Sequence, residues 1–131
     1  MTRWLLDKSA HVRLAGGAPL PDGIDIADLA LCEMSELEWL YSARSASDYD
    51  SQATSLRRAF PVLATPQDIF GRVRRLQHDL AHHHGMWHRT PLPDLFIAET
   101  ALHHGAGVVH ADRDYPRIAA VRPGLQVREL T

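Results

Sequence analysis

One cysteine, Cys32, and one lysine, Lys8, are all that this chain of 131 residues contains of either type. A lone thiol excludes an internal disulfide framework and a cysteine-built zinc site, and its setting in Leu29-Ala30-Leu31-Cys32 predicts a small buried side chain. No apolar run approaches the roughly 20 residues that cross a bilayer, and the N-terminus lacks the basic and apolar blocks of a signal peptide. A soluble, cytoplasmic protein with no membrane partner is expected. Charge of one sign is also scarce: the formal net charge of −2 creates no field that gathers nucleic acid. Any polyanion must be recognised locally. Every basic residue except Lys8 is arginine, whose guanidinium fork suits bidentate phosphate contacts, although a GC-rich genome favours arginine equally well. Trp4, Trp39 and Trp87 are too scattered to predict a stacking platform. Trp4 and Trp39 are expected in or near the core, and Trp87 exposed.

What is present suits one domain over residues 1–131: 45% hydrophobic and 23% charged content can build a real core. Short apolar runs at 4–6, 30–32, 62–63 and 106–110 read as buried strands, and 126–130 as a late edge strand. Helical spacing predicts a helix from about Ser9, a short one over 22–29, and others over 35–44 and 45–60, the last stopped by Pro61. Thr65-Pro66-Gln67-Asp68 reads as a helix start capped by Thr65, followed by the stripe Ile69, Val73, Leu76 and Leu80 and a stop at Gly85. Pro91 and Pro93 argue against helix through their stretch, with Asp94 capping a new helix that runs to about His104, where Gly105 and Gly107 end it. Short strands alternating with longer helices predict an α/β fold with a mainly parallel sheet.

Against this apolar pattern stand the acids. Asp7 closes Trp4-Leu5-Leu6, Asp94 opens Leu95-Phe96-Ile97-Ala98, Asp112 and Asp114 follow Val108-Val109, and Glu38 lies between Leu37 and Trp39-Leu40. Carboxylates are rarely buried unless paired or bound to a metal. Asp7 and Asp112 follow their strands directly, where open α/β sheets place ligands. Acids forced together repel unless a cation neutralises them, and an all-oxygen set suits Mg²⁺ or Mn²⁺ better than zinc. Metal-assisted phosphodiester hydrolysis is the matching reaction class. For each acid alone, a solvated or helix-capping role remains an alternative.

Nine histidines are many for this length, and His78, His82, His83, His84 and His88 crowd one stretch. Residues 78 and 82 share a helix face at a spacing able to bind zinc or nickel. His78-Asp79 also resembles the signature of HD phosphohydrolases, but that fold is all-helical and this chain carries strand signals. His88-Arg89, ahead of Asp94, is placed to touch a substrate, as are Lys8 and Ser9, which otherwise simply start a helix. Arg72, Arg74 and Arg75 form a basic stripe able to meet phosphate, a partner's acids or solvent.

The blocks Leu5-Leu6-Asp7-Lys8-Ser9-Ala10, Glu36-Leu37-Glu38-Trp39-Leu40-Tyr41-Ser42-Ala43-Arg44, Pro93-Asp94-Leu95-Phe96-Ile97-Ala98 and His110-Ala111-Asp112-Arg113-Asp114-Tyr115 stand in this order along nearly the whole chain. Together they resemble the PIN-domain ribonucleases, in particular VapC-type toxins of toxin–antitoxin pairs. The resemblance implies a three-layer α/β/α domain and a metal-dependent endoribonuclease that cuts transfer or ribosomal RNA. It also implies a homodimer and silencing by a cognate VapB-type antitoxin. By the same resemblance Asp7, Glu38, Asp94 and Asp112 hold Mg²⁺ or Mn²⁺, and Asp114 contributes directly or through water. Glu36 and Glu38 both sit near the second acidic position, and the register of Tyr41-Ser42-Ala43 selects Glu38. Two other readings stay open here: a non-catalytic module that binds RNA or antitoxin, and a histidine-based metal-binding protein.

Overall fold

The structure is a computed structural model that describes residues 2–83 and 89–130. Gly85, Trp87, His84 and His88, on which a helix stop, an exposed indole and candidate ligands were expected, lie outside the described residues. Strands β1 (Trp4–Leu6), β2 (Leu29–Cys32), β3 (Val62–Leu63), β4 (Gly107–His110) and β5 (Val127–Glu129) pair in parallel throughout, in the order β3-β2-β1-β4-β5. Every residue of β1, β2 and β4 is buried, as expected of parallel strands covered on both faces.

Strand alternation divides the core. Leu5, Ala30, Cys32 and Val108 face the helices α4 (Ile69–Ala81), α5 (Leu92–His104) and α6 (Asp114–Val121), through Val73, Leu76, Leu80, Ala98, Tyr115 and Ile118. Trp4, Leu6, Leu29 and Val109 pack with Ala10 of α1 (Lys8–Ala15). Leu31 meets Leu40 of α2 (Glu33–Tyr41) and Leu56 of α3 (Ala46–Ala59). This is the expected three-layer α/β/α architecture. Each fully buried Leu or Val contributes about 1.5–3 kcal/mol. Gly107 is required for shape, since a β-carbon there would overlap the Trp4 indole.

From β1 the chain adds β2 and β3 on one side, then crosses to place β4 and β5 on the other. Strand order therefore reverses between β1 and β4, and a crevice opens outside their carboxyl ends.

Several elements differ locally from the sequence expectation. Only Ile26–Asp28 coils in the 22–29 stretch, as one 3-10 turn, because Pro21 and Gly23, at φ 83°, break it and Asp25 and Asp28 cap each other's backbone. The helix expected to be capped by Thr65 starts at Ile69. Asp68 occupies the cap position, but Arg72 Nε donates to its carboxylate at 2.8 Å, so it does not bond the first turn. Asp94 is not a cap either. Pro91 holds that position and Pro93 lies within the first turn, where a missing N–H costs nothing, so Asp94 projects from inside α5. Helix α6, containing Pro116 in its first turn, was not anticipated.

One buried acid away from the crevice ties three helices together. Glu99 of α5 is 5% exposed, and its Oε2 lies 3.4 Å from Arg122 Nε, while Arg122 Nη1 donates to Asp79 of α4 at 2.8 Å. Burial raises the Glu99 carboxyl pKa, and Arg122 opposes the rise. Arg122→Met strands a buried carboxylate, so urea unfolding is expected to show a loss on the order of 3 kcal/mol. Adding Glu99→Gln should recover part of it. A loss below about 0.5 kcal/mol would mean the pair is ornamental.

Candidate active site

The first acid is held by three bonds. Asp7 ends β1 and is 2% exposed; Tyr115 donates its hydroxyl to Oδ1 at 2.9 Å, and Ser9 donates its backbone N–H and hydroxyl to Oδ2 at 3.1 and 2.6 Å. The Ser9 hydroxyl accepts in turn from the Ala111 N–H at 3.0 Å, joining the end of β1 to the end of β4. Asp7 is therefore the N-cap of α1, and Ser9, in the first turn, orients its carboxylate. Tyr115, wholly buried and far along the chain, was not singled out from sequence, because nothing local to it signals a partner near the N-terminus.

Asp112 follows β4 and is half-buried, with its Oδ1 accepting the Asp114 N–H at 3.1 Å. Burial raises its carboxyl pKa, the Asp114 N–H opposes this, and the charge of Asp7 adds to it. Asp94, 5% exposed in the first turn of α5, has its pKa pushed up to about 9, first by burial and then by the charges of Asp7, Asp112 and Asp114. Asp7, Asp94 and Asp112 each offer an oxygen within 4.8 Å of the others. Asp114 is not part of this triad, but its charge adds to the rise at Asp94.

The two glutamates of α2 part company. Glu36 receives a bidentate clamp from Arg57 of α3, at 2.6 and 2.9 Å. Glu38 lies toward the triad: burial raises its pKa, the charges of Asp7 and Asp112 raise it further, and Lys8 opposes them. Its Oε1 is buried and has no hydrogen-bond partner among the described residues. An orphaned carboxylate oxygen beside three crowded carboxylates fits a bound cation or its water, since a cation would relieve the repulsion among these acids. The donor set is all oxygen, so the fit is to a hard divalent ion.

The remaining signals lie elsewhere. His78 and His82 share a face, with ring centroids 4.3 Å apart, but both are exposed. Among the described residues the aspartate triad is the only group of three or more potential ligands close enough for one ion. Arg72 is paired with Asp68, whereas Arg74 and Arg75 line an open surface hollow with Arg122. Trp39, expected to pack near the core, does so partly and also stacks on His11 of α1, with centroids 3.6 Å apart. No helix among the described residues is long and apolar enough to cross a membrane.

The profile of the PIN domain matches residues 5–121. Ribonuclease VapC17 of Mycobacterium tuberculosis is 73% identical over 131 residues, spanning all of this chain and 98% of its own length. Among solved structures, a DNA-bound VapBC from Salmonella typhimurium superposes with a TM-score of 0.72 over 98% of each chain, at 16% identity. VapBC-5 of M. tuberculosis, a member of the VapBC family of toxin–antitoxin systems, gives 0.60 over 99% and 98% of the two chains, at 19% identity. At such identities the likeness is one of fold.

Proposed function

We propose, given that this chain belongs to the PIN-domain family and within it to the VapC ribonucleases, that it is a metal-dependent endoribonuclease acting on structured RNA. The observation that carries this reading is the convergence of Asp7, Asp94 and Asp112 at the reversal point of the sheet. In this proposal those three acids hold Mg²⁺ or Mn²⁺ and Asp114 supports Asp94. When bound, such an ion lowers the pKa of a coordinated water and offsets the charge that grows on the phosphate oxygens. The chain's own residues do the rest. Ser9 and Tyr115 keep Asp7 from turning away. Glu38 Oε1, without a hydrogen-bond partner among the described residues, accepts a proton from the attacking water. Lys8, which lines a hollow with Glu38 and Pro93, receives the phosphodiester.

The substrate in this reading is a transfer or ribosomal RNA met in the cytoplasm. The active form is a homodimer of one-domain chains, silenced by a VapB-type antitoxin. Total RNA incubated with antitoxin-free protein tests the core of it: site-specific cuts in Mg²⁺ or Mn²⁺ that vanish in EDTA are expected, and chelator-insensitive or absent cutting would overturn it. The two glutamates give a sharper result. Glu38→Gln is expected to lower cleavage by about 100-fold, while Glu36→Gln, altering only the Arg57 clamp, stays within a few-fold of the parent. The reverse order would move the second acidic position to Glu36.

A further inference from the structure

Between α1, α2 and α3, beside the acidic cluster, lies a cavity of about 570 Å³, within the roughly 300–1,000 Å³ of small-molecule sites. Its walls include Lys8, His11, Trp39, Gln52, Ser55 and Phe60. His11 and Trp39 stack face to face, with 21° between their nearly parallel planes, and Phe60 meets His11 edge-on at 6.1 Å. The Nδ1 of His11 is buried without a hydrogen-bond partner among the described residues. Two flat rings from different helices thus form one wall, and hydroxyl and amide groups of α3 form another.

The amide of Gln52 is oriented by its neighbour. Its Nε2 donates to Asp48 Oδ2 at 3.0 Å, and because an ionised carboxylate only accepts, the amide oxygen is left over as an acceptor. Lys8 lines both this cavity and the smaller one that contains Glu38. An RNA strand passing Lys8 would therefore have one nucleotide at the cavity and a phosphate near the carboxylates.

We propose that this cavity is a base-specificity pocket, which takes a nucleobase with an exocyclic amino group where uracil carries its O4 carbonyl, adenine or cytosine, from the nucleotide next to the cut. The His11–Trp39 pair is the stacking wall, since any base offers a π-face to such rings. Gln52 Oε1 supplies the selection: it accepts from the N6 amino group of adenine or the N4 amino group of cytosine, whereas a uracil stacked in the same way turns its O4 carbonyl oxygen to that place. The inference rests on the ribonuclease reading. The rival occupant is an apolar peptide of a partner, to which the exposed Val12, Leu37 and Tyr41 nearby would contribute. The polar wall, the paired rings and the shared Lys8 favour the base.

Two measurements on the full-length, antitoxin-free protein decide it. In EDTA, titration of tryptophan fluorescence with short homo-oligomers of A, C and U is expected to show about tenfold weaker binding of the U series. Gln52→Leu should erase that difference, and His11→Leu should weaken all three series while circular dichroism stays native. In Mg²⁺, mapped cut sites of the parent should avoid uracil at one flanking nucleotide, and those of Gln52→Leu should admit it. Cutting by the parent with equal binding of all series, or with a map unchanged in both variants, overturns the pocket and leaves the ribonuclease standing. Selective binding without any cutting overturns the ribonuclease and keeps the pocket. Variants that lose affinity for the purified antitoxin while keeping base preference assign the cavity to a peptide and overturn the proposal.

Discussion

Asp7→Asn is expected to lower RNA cleavage by at least about 1,000-fold while the protein remains folded. The fold survives because asparagine has the same shape and its two ends can be told apart by their neighbours. Ser9 presents two donors to one oxygen, so the amide oxygen must stay there. The amide nitrogen then faces Tyr115, whose hydroxyl can turn from donor to acceptor. The charge cannot be replaced in this way. Asp7 is the one acid whose charge raises the pKa of Glu38, Asp94 and Asp112 alike, so it stands at the electrostatic centre of the cluster. Removing it weakens attraction for a divalent ion and lets the remaining acids ionise more readily. Growth arrest on expression should disappear with the cleavage. Cleavage at the parental rate, in a variant with a native dichroism spectrum, would remove Asp7 from the site.

The second large effect concerns stability. Asp94 has its pKa pushed up to about 9 in the folded protein, against about 3.9 in an unfolded chain. Across that window the folded state holds a proton that the unfolded state releases, so in the absence of a cation stability falls as pH rises from about 4 toward 9. Below about pH 4 the group is protonated in both states and costs nothing. Asp94→Asn takes the group out of this balance. In EDTA the variant should melt close to the parent near pH 4.5 and roughly 5–10 °C above it by pH 8.5, equivalent to a few kcal/mol. Millimolar Mg²⁺ or Mn²⁺ at the higher pH should raise the parent's Tm and leave that of the variant in place, because the ion displaces the proton only where the carboxylate exists. The variant should also be inactive, so stability and function are opposed at this position. Parallel melting curves across pH would show that Asp94 is ionised throughout and that its burial carries no such cost.

Much of this architecture was legible in the chain because it depends on short-range periodicity. The runs that became β1, β2 and β4 are apolar on both faces, and the spacing of Ile69, Val73, Leu76 and Leu80 allows only a helix with one buried side. Helix ends were less legible, since they turn on competition between side chains: Asp68 would cap α4 were Arg72 not holding its carboxylate. The prolines misled for a related reason. Pro93 is unwelcome inside a helix but harmless in a first turn, and only the path of the chain decides which applies.

By itself the sequence determined the kinds of layer and the type of site, because hydrophobic alternation is local and acids that interrupt apolar runs announce themselves. The family blocks put them in order. Tertiary structure alone decided which groups meet. That Glu36 turns to Arg57 while Glu38 lies toward the aspartates, and that a tyrosine 108 residues away holds Asp7, follow from the packing of distant elements. The stack of His11 on Trp39 has the same origin. These pairings depend on distances in space that no spacing along the chain encodes, and the burial and mutual repulsion that set the chemistry of Asp94 exist only once the chain has closed around them.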